Sequence, residues 1–300
     1  MDKTVGIIGL GIMGGAIARN LIDRGWHVVG FDIIPARCAE LAQANVAIAG
    51  DIAQLTRDAP IILTSLPTPK AVEDVAQAIV NSGQLPRIVV ELSTLSLADK
   101  LRFQEILDQS GHIALDCPLS GTGAQAKMRD LVVYASGDSA AISKCTGLFA
   151  DFAKQSADLG RFGNGSRMKF IANHLVAINN VATAEAMLLA ARAGLDPQMV
   201  VEMVGPGAGG SRMFQMRAPM MVEGIYEPAT MKVSTWKKDM AIIADFADDV
   251  GCATPLFTST QPVYSEAMAM GLGDQDTAAV FEVLKKTIIT DPKSAGQHRG

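Results

Sequence analysis

The chain has 300 residues, is 49% hydrophobic and 19% charged, and carries a formal net charge of −5. This length predicts two domains with separate cores, and the acidic balance argues against nucleic acid or an anionic membrane surface as a partner. The four cysteines are widely spaced and form no C-x-x-C pair, so we expect reduced core cysteines, no metal site, no membrane-spanning segment and a cytoplasmic location.

The first predicted element is a buried strand over residues 5–8, which runs directly into a glycine-rich turn and a helix. The glycines have the G-x-G-x-x-G spacing of a dinucleotide-binding turn. In such a turn the first glycine allows the tight bend, the second lets the backbone approach a pyrophosphate, and the third lets the helix pack closely. The helix N-terminus offers unpaired N–H groups to phosphate. The predicted cofactor contacts here are Gly9, Leu10, Gly11, Ile12, Met13 and Gly14.

A second predicted strand, over residues 27–31, ends at Asp32. An acid about 20 residues beyond the glycines is placed to bind the ribose hydroxyls of an adenosine. Because a carboxylate there would repel a 2′-phosphate, the sequence favours NAD over NADP. Arg37 is the nearest cation that could favour NADP instead, and an ordinary strand-end acid is the alternative interpretation of Asp32.

The rest of the first half alternates strands with helices, which predicts a mostly parallel, doubly wound sheet. Ligands of such sheets bind outside the carboxyl ends of the strands. Leu66 and Pro67 follow one predicted strand, and Ser93 and Thr94 follow another. We therefore expect Leu66 and Pro67, and likewise Ser93 and Thr94, to face the far half of the cofactor. The alternative is that these are loop residues without a ligand.

A segment of small residues follows the strand that ends at Asp116. Within it, Ser120, Gly121 and Thr122 offer a hydroxyl and successive backbone N–H groups, which can bind a carboxylate without a nearby cation. A flexible connection between strands is the alternative. Two arginines further along, Arg212 and Arg217, follow a glycine-rich loop and are either contacts for a second acidic group or solvent-exposed side chains.

A long helix is predicted to begin after Gly163 and Gly165 and to end near Gly194. Lys169 and Asn173 are four residues apart and therefore share a face of this helix. Apolar neighbours around Lys169 would lower the pKa of its amine and make it a usable proton donor and acceptor near neutrality. The alternative is a surface lysine whose stem lies along the helix.

Taken together, these motifs and the pair Lys238-Asp239 resemble the β-hydroxyacid dehydrogenase family, from Val5 to about Ile288. The resemblance implies an α/β Rossmann-type N-terminal domain and an all-α C-terminal domain joined by a long interdomain helix. It implies that Lys169 is catalytic, that Asn173 orients the substrate, and that residues 120–122 hold the substrate carboxylate. It further implies cofactor contacts by Leu66, Pro67, Thr94 and Lys238. The predicted domains are 1–162 and 163–291, with a tail over 292–300.

Two positions depart from the family pattern. Thr122 stands where many relatives have a second glycine, and Ala172 stands where many have asparagine before the orienting amide. The threonine side chain would narrow the pocket or add a hydroxyl contact, so the substrate need not be that of close relatives.

The sequence thus predicts an NAD-dependent enzyme that oxidises a small β-hydroxy acid, similar to 3-hydroxyisobutyrate, with Lys169 as general acid and base. The alternatives are an NADPH-dependent reductase of a small semialdehyde and a non-catalytic dinucleotide-binding protein. An imine reductase shares this architecture but usually lacks the lysine. We expect a small carboxylate substrate and, because the second domain is apolar and helical, a homodimer or homotetramer.

Overall fold

The computed structural model describes residues 3–286. Among these residues the strands are β1 Thr4–Ile8, β2 His27–Phe31, β3 Ala47–Ile48, β4 Ile61–Thr64, β5 Ile88–Glu91, β6 Ile113–Asp116, β7 Leu119–Ser120, β8 Val132–Gly137 and β9 Gln155–Asp158. The helices are α1 Ile12–Asp23, α2 Pro35–Ala42, α3 Ile52–Asp58, α4 Pro69–Asn81, α5 Leu97–Asp108, α6 Gly123–Lys127, α7 Ser139–Phe152, α8 Asn164–Arg192, α9 Pro197–Val204, α10 Arg212–Glu223, α11 Val233–Asp249, α12 Pro255–Ala269 and α13 Val280–Lys286. A 3₁₀ turn over Thr277–Ala279 precedes α13.

All nine strands belong to one sheet with the order β3-β2-β1-β4-β5-β6-β8-β7, and β9 pairs with β8. Strands β1 to β6 run parallel, whereas β8 runs antiparallel to β6 and β7. The order reverses between β1 and β4, so the ligand-binding crevice of a doubly wound sheet lies at the carboxyl ends of these strands.

Helices cover both faces of this sheet, and two apolar clusters lie between the layers. Strands β1, β4 and β5 are buried along their whole length, as expected for parallel strands covered on both faces. Several helices begin at a side-chain cap or a proline; Thr68, for example, caps α4, and Pro69 is its first residue.

The chain divides into two compact units within α8, between Ala172 and Asn173. The predicted boundary at residues 162/163 coincides instead with the end of the strand-rich part, just before α8 begins. The second unit contains only helices and the 3₁₀ turn among its described residues. The predicted fold class, a Rossmann-type domain and an all-helical domain with a long helix at their junction, is confirmed.

Helix α8 has 29 residues and ends, as predicted, just before Gly194, whose φ is +77°. By length and hydropathy alone it is also a candidate membrane span. However, several of its apolar side chains, namely Phe170, Ala177 and Ala184, are buried within the protein. A core helix of a globular protein can have the same length, hydropathy and buried apolar side chains.

The cysteines differ in their exposure to solvent. Cys117 and Cys145 are buried, but Cys252 is exposed, so the expectation of four core cysteines is wrong at this position. Cys252 follows the end of α11, where the chain turns at the surface. The predicted end of the last helix at Ile288 and the tail over 292–300 lie outside the described residues.

Candidate active site

The glycine-rich turn between β1 and α1 has the backbone geometry that a dinucleotide needs. Gly9 has a φ of +94°, and a Cβ on Gly14 would lie 1.9 Å from the carbonyl oxygen of Gly9, so both positions require glycine. A Cβ on Gly11 would meet no atom closer than 3.8 Å, which leaves space beside that backbone. Gly11 is the N-cap of α1 and supplies no side chain to its first N–H groups. The turn therefore fits the pyrophosphate of a nicotinamide dinucleotide.

Asp32 directly follows β2 and lies against this turn. Its Oδ2 accepts a hydrogen bond from the backbone N–H of Leu10 over 2.8 Å, and its Oδ1 accepts one from Ile34 over 2.8 Å. The guanidinium of Arg37 lies 3.2 Å from Oδ2. The structure thus brings both candidate determinants of the ribose pocket, Asp32 and Arg37, to the edge of the glycine-rich turn.

The loops after β4 and β5 meet at the carboxyl end of the sheet. The N–H of Leu66 donates to the hydroxyl of Ser93 over 2.9 Å, which ties the Leu66–Pro67 loop to the segment that carries Thr94. Leu66 and Thr94 are half-buried, and Pro67 is exposed. Ser93 is half-buried and holds the two predicted loops together.

The predicted carboxylate cradle is a bend between β7 and α6. Gly121 has a φ of +134°, and a Cβ there would lie 2.6 Å from the side chain of Leu131. Thr122 begins α6 in a capping box with Gln125, whose Oε1 accepts from the N–H of Thr122 over 3.0 Å. A carboxylate that used this N–H would have to replace that bond. The threonine found in place of glycine therefore has a structural role as a helix cap.

This bend also lies against the glycine-rich turn. A Cβ on Gly123 would lie 2.4 Å from the side chain of Ile12 at the start of α1. The predicted cofactor turn and the predicted substrate loop are thus neighbours within the first unit, and Ser120, half-buried at the end of β7, adjoins them in the chain.

The first turn of α8 is anchored on the end of β6. The Asp116 carboxylate accepts two hydrogen bonds from Ser166, from its N–H over 2.7 Å and from its hydroxyl over 2.9 Å. A Cβ on Gly165 would lie 2.3 Å from the carbonyl oxygen of Tyr134, so the helix start packs closely on the sheet. Lys169 follows one turn later and is only 8% exposed. The surface lysine considered as an alternative is therefore excluded.

In the second unit, Asn173 is buried and its amide donates to Oδ2 of Asp239 over 3.3 Å. Lys238 is exposed and lies 3.3 Å from the same carboxylate. Sequence reasoning missed the role of Asp239, although it stands within the Lys238-Asp239 pair. Arg217 is buried against Asp276 at 3.0 Å, so its charge is used inside the helical unit, whereas Arg212 is exposed.

Two family models together match nearly the whole chain. The NAD binding domain of 6-phosphogluconate dehydrogenase matches residues 4–160, and the NAD-binding domain of NADP-dependent 3-hydroxyisobutyrate dehydrogenase matches residues 163–284.

Individual relatives agree with this result. L-threonate dehydrogenase of Pectobacterium atrosepticum is 30% identical over 98% of both chains. Glyoxylate/succinic semialdehyde reductase 2 of Arabidopsis thaliana is 29% identical over 94% of this chain and 79% of its own. A crystal structure of 3-hydroxyisobutyrate dehydrogenase from Salmonella typhimurium superimposes with a TM-score of 0.84 at 29% identity, over 93% of this chain and 99% of that one.

The fold and the glycine-rich turn define a nicotinamide-dinucleotide-dependent oxidoreductase. The chain belongs to the β-hydroxyacid dehydrogenase family. It is an NAD(P)-dependent hydroxyacid dehydrogenase or reductase, an enzyme that interconverts a hydroxy acid and the corresponding carbonyl compound.

Proposed function

We propose that this enzyme oxidises a small β-hydroxy acid, similar to 3-hydroxyisobutyrate, to the semialdehyde or keto acid, with NAD as cofactor and Lys169 as general base. The observation that carries the proposal is the burial of Lys169 on a helix turn that Asp116 anchors at the carboxyl end of the sheet. A buried amine in this position is poised for proton transfer rather than for solvation.

Each predicted residue has a defined task in this reaction. Ser120 and the backbone at Gly121 and Thr122 bind the carboxylate, and Asn173 orients the hydroxyl. Lys169 in its neutral form takes the hydroxyl proton as the carbonyl forms, and it returns a proton in the reverse direction. The bound cofactor supplies the hydride acceptor, while the protein supplies position and charge.

Binding of the cofactor is assigned to the residues around the glycine-rich turn. Residues 9–14 contact the pyrophosphate and Asp32 the adenosine ribose, while Leu66, Pro67, Thr94 and Lys238 are assigned to the remaining contacts. The buried carboxylate of Asp32 supports NAD, because it would repel a 2′-phosphate at this edge of the sheet.

A second candidate is the NADPH-dependent reduction of a small semialdehyde. Two observations favour it: the guanidinium of Arg37 lies beside Asp32, and the Arabidopsis relative is named for glyoxylate and succinic semialdehyde. A guanidinium is a good ligand for a 2′-phosphate. The two candidates differ in preferred direction and cofactor.

Steady-state assays separate the candidates. The oxidation panel contains 3-hydroxyisobutyrate, 3-hydroxypropionate and L-threonate with NAD or NADP, and the reduction panel contains glyoxylate and succinic semialdehyde with NADH or NADPH. We expect the highest kcat/KM for a hydroxy acid with NAD. Preferential reduction with NADPH would support the second candidate, and no turnover in either panel would contradict both.

The role of Lys169 is tested by Lys169→Ala. We expect kcat to fall by about 10²- to 10⁴-fold, the usual contribution of general acid–base catalysis, while NADH still binds in a fluorescence titration. Lys144→Ala removes an exposed lysine from α7 and is the matched control, expected to keep full turnover. Near-full activity of Lys169→Ala, or loss of NADH binding, would refute the assignment.

A further inference from the structure

A buried network of charged and hydroxyl side chains lies beneath the loops that carry the candidate site. Its members are Glu91 at the end of β5, Lys100 on α5 and Asp116 at the end of β6, and each of these side chains is fully buried. The Lys100 amine pairs with Oε2 of Glu91 and lies 3.1 Å from Oδ1 of Asp116. One ammonium group thus joins two carboxylates from neighbouring strands.

Each carboxylate also holds a backbone segment that the proposed function uses. Glu91 accepts from the N–H of Ser93 over 2.9 Å, and the Ser93 hydroxyl accepts from the N–H of Leu66. At the other end, Asp116 accepts both bonds from Ser166 at the start of α8. The network therefore connects the two loops assigned to the cofactor with the helix turn that carries Lys169.

The cost of such a network indicates that it does more than stabilise the fold. Two fully buried carboxylates share one fully buried ammonium, and buried ion pairs often contribute little net stability compared with apolar packing. What a satisfied buried network does provide is a single fixed arrangement of the segments it joins. Here it joins the loops after β4 and β5 to the first turn of α8.

We infer that Asp116 is a positioning residue, which fixes the first turn of α8 through Ser166 and thereby places the Lys169 amine for proton transfer. The inference rests on the proposed role of Lys169. Ser166 precedes Lys169 by three residues, so the two lie about one helical turn apart on the same side of α8. A displacement of the anchored turn moves the amine with it, and a misplacement of about 1 Å can cost about 10²-fold in rate.

Ser166→Ala is the cleanest test, because it removes one hydrogen bond to Asp116, leaves the N–H bond in place and puts a good helix former in α8. Asp116→Asn is the second variant. It keeps the side-chain shape but weakens the links to Ser166 and Lys100. Thr56→Val is the matched control, since it removes another buried hydroxyl hydrogen bond in the same unit, from Thr56 to Ile52.

With the hydroxy acid that turns over fastest, we expect kcat of Ser166→Ala and Asp116→Asn to fall about tenfold or more. We expect the KM for NAD to stay within about twofold and the pH profile of kcat to shift. In a Lys169→Ala background, Ser166→Ala should cause no further loss of the residual rate. Wild-type kcat and pH profile in both variants, with Lys169→Ala inactive, would overturn the positioning role and leave the proposed function intact.

Amide hydrogen exchange gives a readout that does not need turnover. In both variants we expect the peptide covering residues 164–170 to exchange about tenfold faster than in the wild type, and in Thr56→Val to exchange as in the wild type. Unchanged exchange in both variants would overturn the inference even if no assayed acid is a substrate. Faster exchange together with an active Lys169→Ala enzyme would show that the anchor exists and that the proposed function has failed.

Discussion

The backbone N–H of Leu10 donates a 2.8 Å hydrogen bond to Oδ2 of Asp32, so the acid at the end of β2 also holds the glycine-rich turn. The same carboxylate accepts from the N–H of Ile34 and pairs with Arg37. Its side chain is only 4% exposed. Asp32 therefore organises the pocket edge, while Arg37, which is 45% exposed, is the more accessible charge at that edge.

This arrangement predicts that Arg37 determines how well the enzyme uses NADP in place of NAD. In Arg37→Gln we expect kcat/KM for NADP to fall by about 10- to 100-fold, because a charge-assisted bond to phosphate contributes about 1.5–3 kcal/mol. We expect kcat/KM for NAD to change by less than about threefold. The measurement is kcat/KM with each cofactor at a fixed hydroxy acid concentration.

The matched control is Arg19→Gln, which removes another half-exposed arginine, paired with Glu40, from α1. It should leave the ratio of the two kcat/KM values unchanged. An equal loss with NAD and NADP in Arg37→Gln would show that this arginine acts on the turn as a whole rather than on the 2′ position.

Much of the fold was predictable because its signals are local. The glycine spacing, the buried strands and the acid after β2 each lie within a short stretch, and α8 was found from its apolar content and from Gly194 as its stop. The predicted loops at the carboxyl ends of β4 and β5 also meet, as Leu66 and Ser93 show.

The links between segments could not be read from the sequence in the same way. Lys100 lies on α5 with nothing around it in the sequence that distinguishes it from a solvent-exposed lysine, and only the sheet order brings it to Glu91 and Asp116. The sequence offers the Thr122 hydroxyl as a substrate contact, but its pairing with Gln125 depends on where α6 begins. The long-range partners of buried polar groups therefore could not be predicted from the sequence.

The glycine-rich turn makes a prediction about a single methyl group. In Gly14→Ala the new Cβ would clash with the carbonyl oxygen of Gly9. This oxygen belongs to the backbone, so it cannot move aside as the end of a flexible side chain can. We expect the free energy of unfolding to fall by about 1–3 kcal/mol and NADH binding to weaken. Urea unfolding and a fluorescence titration with NADH measure the two effects.

Gly147→Ala is the matched control for this substitution. Gly147 lies in α7, is exposed, and an added Cβ there would meet no atom within 4 Å. Alanine should stabilise the helix by about 0.5–1 kcal/mol. If Gly14→Ala were tolerated as well as Gly147→Ala, the close approach of α1 to the turn would be wrong.

His112, just before β6, predicts how stability changes with pH. It is 2% exposed, and its Nδ1 accepts a hydrogen bond from the backbone N–H of Arg87 over 3.0 Å. Burial, and secondarily the charge of Arg87, lower the pKa of this imidazole below its usual value. Near and below about pH 6.5 the unfolded chain therefore binds more protons than the folded chain, so folding stability falls as the pH decreases through this window. Above about pH 6.5 the contribution of His112 to folding stability is constant.

The substitution His112→Asn tests this pH dependence. In this variant the amide oxygen can replace Nδ1 as the acceptor but does not titrate, so the mutant should lose less stability than the wild type between about pH 8 and pH 5. Urea unfolding midpoints across this range measure the difference, with His27→Asn, at an exposed position on β2, as the control that should keep the wild-type slope. A His112→Asn slope equal to that of the wild type would show that the imidazole takes up its proton equally in both states.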